Sequence, residues 1–164
     1  MNKALFLDRD GIINNNLEGY THKLENLEIL DGIVEICLEA KRRGYKIIIV
    51  TNQGGIGLGY FTEEDFWVFM GGIYKHFSQL GIEFAKTYFA PYHPRGTIEK
   101  YIDKSLEQFR KPNAGMILQA QAEFNIDLSQ SVLIGDNITD VQAGLNAGVG
   151  RNIWVQSGKF TSVF

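Results

Sequence analysis

Apolar residues in this chain fall into short unbroken runs, separated by longer stretches in which they recur every three or four positions, and polar clusters mark the joins. Lys3-Ala4-Leu5-Phe6-Leu7 stops at Asp8-Arg9-Asp10-Gly11, and Lys46-Ile47-Ile48-Ile49-Val50 stops at Thr51-Asn52-Gln53-Gly54-Gly55. Thr87-Tyr88-Phe89-Ala90 runs into Pro91-Tyr92-His93-Pro94-Arg95-Gly96, Ser131-Val132-Leu133-Ile134 ends at Gly135-Asp136, and Asn152-Ile153-Trp154-Val155 makes a fifth run. Runs this short, rich in β-branched and aromatic side chains and without an alternating wet face, are the pattern of parallel strands covered on both sides.

The stretches between them carry helical spacing. Ile33, Ile36, Cys37 and Ala40 follow Asp31-Gly32 and lead to Lys41-Arg42-Arg43-Gly44, a cationic last turn with a glycine to close it. This spacing places Cys37 in the core. Thr62 with Asp65 three residues on predicts an N-cap, and Phe66, Phe69, Met70, Ile73, Phe77 and Leu80 form a sheet-packing stripe that ends before Gly81. Pro112-Asn113 predicts the start of a helix through Met116, Ile117, Ala120 and Phe124; a last helix has Val141 and Leu145 inward and Gly148 at its end. Residues 12–23 read as a loop or small flap over the first strand end, residues 97–108 as loop with one helical turn, and the tail from Gln156 to Phe164 as lying on the domain. Strands alternating with helices predict an α/β fold, a doubly wound parallel sheet built as a single domain over residues 1–164.

Composition narrows the function. The chain has 164 residues, 45% hydrophobic and 21% charged, with a net charge of -3, so no field gathers nucleic acid or anionic lipid. No apolar run reaches membrane-spanning length, and the four apolar residues before Asp8 are too few for a signal-peptide core. The single cysteine allows neither an intrachain disulfide nor a cysteine-rich zinc site, which with the missing leader leads to an expectation of a soluble protein in the reducing cytoplasm.

Candidate chemistry lies at the strand ends, which share one edge in a parallel sheet. Asp8 and Asp136 together would offer two carboxylates to Mg²⁺, a hard cation that takes one or two carboxylates, waters and phosphate oxygens. Asp8 can attack phosphorus to form an aspartyl phosphate, and Asp10, two residues on, can protonate the leaving oxygen and then deprotonate the incoming water. The Thr51 hydroxyl, backbone N–H groups near Asn52 and the Lys111 ammonium would bind the charge on the transferring phosphoryl group. Each cluster alone also fits an ordinary turn or solvated surface; four in this order, each at a strand end or helix start, do not fit coincidence.

The order Asp-x-Asp-Gly, strand-end Thr, Lys and Gly-Asp-x-x-x-Asp, here Asp8, Asp10, Gly11, Thr51, Lys111, Gly135, Asp136 and Asp140, resembles that of the haloacid dehalogenase (HAD) superfamily phosphatases over nearly the whole chain. The resemblance implies a Rossmann-like fold with a minimal loop cap and no large cap domain. It further implies Mg²⁺ held by Asp8, Asp136 and the backbone carbonyl of Asp10, with Asp140 steadying the metal's shell. Phe-Leu-Asp-Arg-Asp-Gly, Thr-Asn-Gln and Arg-Lys-Pro are similar to the branch holding heptose 1,7-bisphosphate 7-phosphatases and histidinol-phosphate phosphatases, which makes Asn52, Gln53, Arg110 and the flap candidates to hold the substrate. Gly19-Tyr20, Phe61-Thr62-Glu63 and the chain length lean toward the heptose enzymes.

Two departures stand out. The branch's zinc loop of Cys-x-His and Cys-x-Cys is replaced by Ala90, Tyr92, Glu107 and Phe109, so no structural zinc is expected, and His93 alone cannot hold one. Leu58 and Asn137 stand where the heptose enzymes carry cations, which should weaken a bisphosphate's hold. The expected function is a Mg²⁺-dependent phosphatase acting on a small phosphorylated sugar, with D-glycero-D-manno-heptose 1,7-bisphosphate leading, histidinol phosphate the alternative, and a non-catalytic phospho-ligand-binding domain or a phospho-acceptor signalling domain as rivals.

Overall fold

The computed structural model describes residues 1–16, 19–156 and 163–164. In chain order the elements are β1 (Ala4–Leu7), α1 (Ile33–Arg42), β2 (Lys46–Asn52), α2 (Gly54–Gly57), α3 (Glu63–Ser78), β3 (Lys86–Ala90), α4 (Gly115–Phe124), β4 (Val132–Gly135), α5 (Ile138–Ala147) and β5 (Arg151–Trp154). The five strands form one all-parallel sheet in the order β3-β2-β1-β4-β5.

Residue parity shows why the apolar runs lack a wet face. Leu5, Leu7, Ile47, Ile49, Val132 and Ile134 point to one side, against Ile33, Cys37 and Ala40 of α1 and Phe66, Phe69, Met70, Ile73 and Phe77 of α3. Ala4, Phe6, Ile48, Val50 and Leu133 point to the other, against Met116, Ile117 and Ala120 of α4 and Ala143 of α5. Period-two alternation thus feeds two cores at once, and the inner strands β1, β2 and β4 are apolar on both faces.

Several expectations need correction. Leu80 lies past the end of α3 and is exposed; Ile82 takes the buried place after the turn. On α5 the inward residues are Asp140, Ala143 and Gly144, while Leu145 is exposed and Val141 only half-buried. That helix packs so close that a side chain at Gly144 would strike Asn152, so small residues mark its inner face and large ones do not. Helix α4 begins at Gly115 and not at Pro112-Asn113, because the backbone of Lys111 is clasped by Asn52 and Asn113 closes a turn onto the Arg110 carbonyl. The 97–108 segment holds two 3₁₀ pieces, Glu99–Tyr101 and Lys104–Phe109, instead of one turn.

The start of the expected flap is core. Ile12 and Ile13 are fully buried, the N–H groups of Ile12, Ile13 and Asn14 fold back onto the Arg9 carbonyl, and Leu30 and Asn15 tie the turn to residues 28–30. Leu17 and Glu18 of the flap lie outside the described residues, as do 157–162 of the tail; Val163 is buried and Phe164 packs on Tyr45 with ring centroids 5.1 Å apart.

Cys37 sits in the core, as its spacing predicts, and burial pushes its thiol up to about 12. At pH 8 its thiolate fraction is then about one part in 10⁴. Iodoacetamide should therefore leave the native protein unlabelled over hours and label it fully in denaturant, as read by intact mass; rapid native labelling would place Cys37 outside the core.

Candidate active site

From β1 the chain steps outward to β2 and β3, then crosses back to β4 and β5 on the other side. The reversal opens a crevice between β1 and β4 at their carboxyl ends, the place where open α/β sheets bind ligands. Asp8 leaves β1 there, its N–H held by the Ile134 carbonyl at 3.1 Å, and Asp136 leaves β4 beside it. Two glycines make the approach possible. Gly11 has φ +85°, and a Cβ there would collide with the Asp136 carboxylate; a Cβ at Gly135 would collide with Asp140.

Lys111 is the hub of this crevice. Its side chain is almost wholly buried, and Nζ lies 2.9 Å from Asp8 Oδ1, 2.5 Å from Asp140 Oδ1 and 2.8 Å from the Val50 carbonyl. The second oxygen of Asp140 accepts from the Asn137 N–H at 3.0 Å, which makes it the capping partner of α5 as well as a counter-charge for Lys111. Asp136 is the most open of the three acids, and its carboxyl comes within hydrogen-bonding reach of Asp8. Burial pushes the Asp8 carboxyl well above the usual range, with Lys111 pulling it down and Asp140 and Asp136 pushing it further up. Asp136 is raised as well, mainly by burial. Three carboxylates against one ammonium leave the centre short of positive charge.

A divalent cation would supply that charge, and the donor set fits one. Ligand oxygens of Asp8, Asp136 and Asp140 lie within 4.8 Å of one another, and carboxylate oxygens suit hard cations. Since both Asp140 oxygens are engaged by Lys111 and Asn137, Asp8 and Asp136 are the pair with oxygens to give.

Asp10 is held differently. Its Oδ1 accepts from Arg9 Nε at 3.1 Å, Arg9 Nη2 at 2.7 Å and Asn14 Nδ2 at 3.0 Å; its Oδ2 accepts from Gln53 Nε2 at 3.1 Å. The guanidinium of Arg9 is buried against the rings of Phe69 and Phe66, 4.5 Å and 5.6 Å away, and also donates to the Thr21 carbonyl at 2.7 Å. Sequence reasoning missed Arg9. Its signal was the aromatic stripe of α3, which is a seat for a cation as well as sheet-packing core.

The residues expected to bind substrate separate into two kinds. Arg110 lines a cleft of about 400 Å³ together with Asp8, Asp10, Lys111 and Asp136, its Nη1 resting on the Tyr92 carbonyl at 3.2 Å. Asn52 also borders the cleft, but its side-chain amide makes two hydrogen bonds to the backbone of Lys111, at 2.9 and 3.1 Å, and so anchors the lysine. Gln53 and Thr51 lie behind the wall, almost fully buried, with Gln53 Nε2 donating to Thr51 Oγ1 at 2.9 Å. His93, Asn16 and Thr139 line the cleft and carried no distinguishing pattern in the sequence. The far end of the flap closes one side: Tyr20 packs edge-on against Tyr60 at 5.0 Å, and His22 stacks on Phe61 at 4.7 Å.

Known proteins resemble this chain in sequence and fold. A family profile described as HAD-hydrolase-like matches residues 108–163. The chain is 47% identical over 154 residues to the D-glycero-alpha-D-manno-heptose-1,7-bisphosphate 7-phosphatase of Burkholderia mallei, covering 94% of this chain and 80% of that protein. It is 40% identical over 156 residues to the D-glycero-beta-D-manno-heptose-1,7-bisphosphate 7-phosphatase of Yersinia pestis, covering 95% and 81%. Among solved structures, a HAD-like phosphatase from Mesorhizobium loti superposes with a TM-score of 0.87 at 31% identity, covering 96% of this chain and 77% of that one. The D,D-heptose 1,7-bisphosphate phosphatase of B. bronchiseptica, complexed with magnesium and phosphate, gives a TM-score of 0.80 at 22% identity over 92% and 79%, a likeness of fold.

Proposed function

This chain belongs to the HAD superfamily phosphatases, in the branch of the heptose-1,7-bisphosphate 7-phosphatases, and on that premise we propose that it is a Mg²⁺-dependent hydrolase of D-glycero-D-manno-heptose 1,7-bisphosphate that works through an aspartyl phosphate on Asp8. The observation that carries the reading is the buried Asp8–Lys111 pair, set beside Asp136 at the floor of a cleft that Asp10 and Arg110 also line.

Asp8 Oδ2, the oxygen not tied to Lys111, attacks the 7-phosphorus as the bond to the sugar oxygen breaks; Asp10 gives that oxygen its proton. Water then attacks the same phosphorus, the Asp8–phosphorus bond breaks, and Asp10 takes the water's proton, which restores both side chains. Lys111 binds the equatorial oxygens as charge spreads over them, and Thr51, behind the cleft wall, braces that edge through its hydrogen bond with Gln53. Asp8, Asp136 and the Asp10 backbone carbonyl would hold Mg²⁺, with Asp140 behind them, and the ion would offset the negative charge of acids and phosphate together. Arg110, on the cleft lining, is placed to meet the distal part of the substrate, while Lys111 is held deep by Asp8 and Asp140.

Phosphate release should be measured with both anomers of the heptose bisphosphate, histidinol phosphate and p-nitrophenyl phosphate, each with EDTA and with Mg²⁺ restored. The expected result is a heptose bisphosphate as the best substrate, loss of at least about 10²-fold in rate in EDTA, and recovery with Mg²⁺. Rates insensitive to EDTA would remove the metal from the reading. A preference for histidinol phosphate would move the enzyme to the other half of its branch, and Asn137 and Leu58, which offer no cation to a second phosphate, are the residues that would explain it. Mg²⁺-dependent binding without turnover would leave a ligand-binding domain.

A further inference from the structure

Gln53 stands at the junction of β2 and α2, where its N–H is fixed by the Ala90 carbonyl at 2.8 Å and its carbonyl accepts from Ile56 at 3.0 Å. Only 4% exposed, it is poorly placed to hold a sugar. Its amide nitrogen has two hydrogens and both are used, one on Asp10 Oδ2 at 3.1 Å and one on Thr51 Oγ1 at 2.9 Å. The orientation of the amide is dictated by its neighbours: turned over, its oxygen would face a carboxylate. We propose that Gln53 is a positioning residue that sets the reacting geometry of Asp10, an inference that rests on reading this site as a phosphatase.

The bonds to Asp10 divide its two oxygens by role. Asp10 Oδ1 already receives three N–H groups, from Arg9 twice and from Asn14. Oδ2 is therefore the oxygen that carries the proton to the leaving group, and Gln53 occupies one side of it so that the other faces the cleft. The other amide hydrogen goes to Thr51 Oγ1 behind the cleft wall, which tethers the amide from its far side. A single buried amide thus orders the oxygen that protonates the leaving group.

The test separates positioning from sugar contact by leaving group. Ethyl phosphate has no sugar hydroxyls and leaves as an alkoxide that needs a proton, whereas p-nitrophenyl phosphate leaves as a stable phenolate. In Gln53→Leu and in the isosteric Gln53→Glu, kcat/KM for ethyl phosphate should fall about 10²-fold and for p-nitrophenyl phosphate by no more than about tenfold, with thermal unfolding midpoints close to wild type. An equal fall on both substrates would reduce Gln53 to a structural role and overturn the proposal. A fall confined to the heptose bisphosphate, with ethyl phosphate unaffected, would make it a sugar contact and overturn it too. Failure of the wild-type protein to hydrolyse any of the three would remove the phosphatase reading, and this assignment with it, and the wild-type arm tells that case apart.

Discussion

Asp8→Asn is expected to lower phosphate release by at least about 10⁴-fold with every substrate, without unfolding the protein. An amide oxygen in place of the carboxylate cannot form the phosphorylated intermediate, and the remaining acids are badly placed to substitute. Asp140 is held by Lys111 and the Asn137 N–H, and Asp10 is turned toward Arg9, Asn14 and Gln53. Stability should move the other way. In the metal-free protein the Asp8 carboxyl is pushed up by burial and by Asp140 and Asp136 despite the pull of Lys111, so a neutral side chain removes repulsion at small loss. The thermal midpoint of Asp8→Asn without Mg²⁺ should equal or exceed that of the wild type. Turnover within tenfold of the wild type would place the nucleophile elsewhere.

Lys111→Met should damage both function and fold. Nζ is the buried counter-charge for two aspartates and also donates to the Val50 carbonyl, and taking one partner out of such a group leaves charge unpaired in the interior. The expected cost is about 3–5 kcal/mol, read by urea unfolding in EDTA, with kcat/KM lower by about 10²–10³-fold. Adding Asp140→Asn should return part of the stability and none of the activity, because it relieves one stranded carboxylate without restoring a cation to the phosphoryl group. If Lys111→Met is as stable as the wild type, the acids must be neutralised by something other than this lysine.

The inner strands β1, β2 and β4 were legible because each is apolar on both faces, and that pattern has few other readings in a chain this short. The acids at the strand ends followed, since a parallel sheet brings such ends to one edge, and Asp8 and Asp136 do emerge side by side. Helix faces were less legible where packing is close. Asp140, Ala143 and Gly144 make the inner face of α5 because the helix lies tight against β5, and hydrophobic spacing alone pointed to Val141 and Leu145 instead. Partners of polar side chains were the least legible. Nothing local says that Asn52 will clasp a backbone 59 positions away, that Gln53 will turn inward to Asp10, or that Arg9 will be buried on two phenylalanines, because each depends on loops brought together by the finished sheet.

The two hydrogen bonds between the Asn52 amide and the backbone of Lys111 span the middle of the chain. The segment with Asp8 and Asp10 and the strand end with Asn52 belong to the first half of the polypeptide, while the lysine and the remaining acids come from the second. Neither half holds a balanced set of charges by itself. Heat that parts them dismantles the catalytic apparatus in the same event, so inactivation and unfolding should trace one curve, and residual activity can serve as a direct gauge of intact molecules.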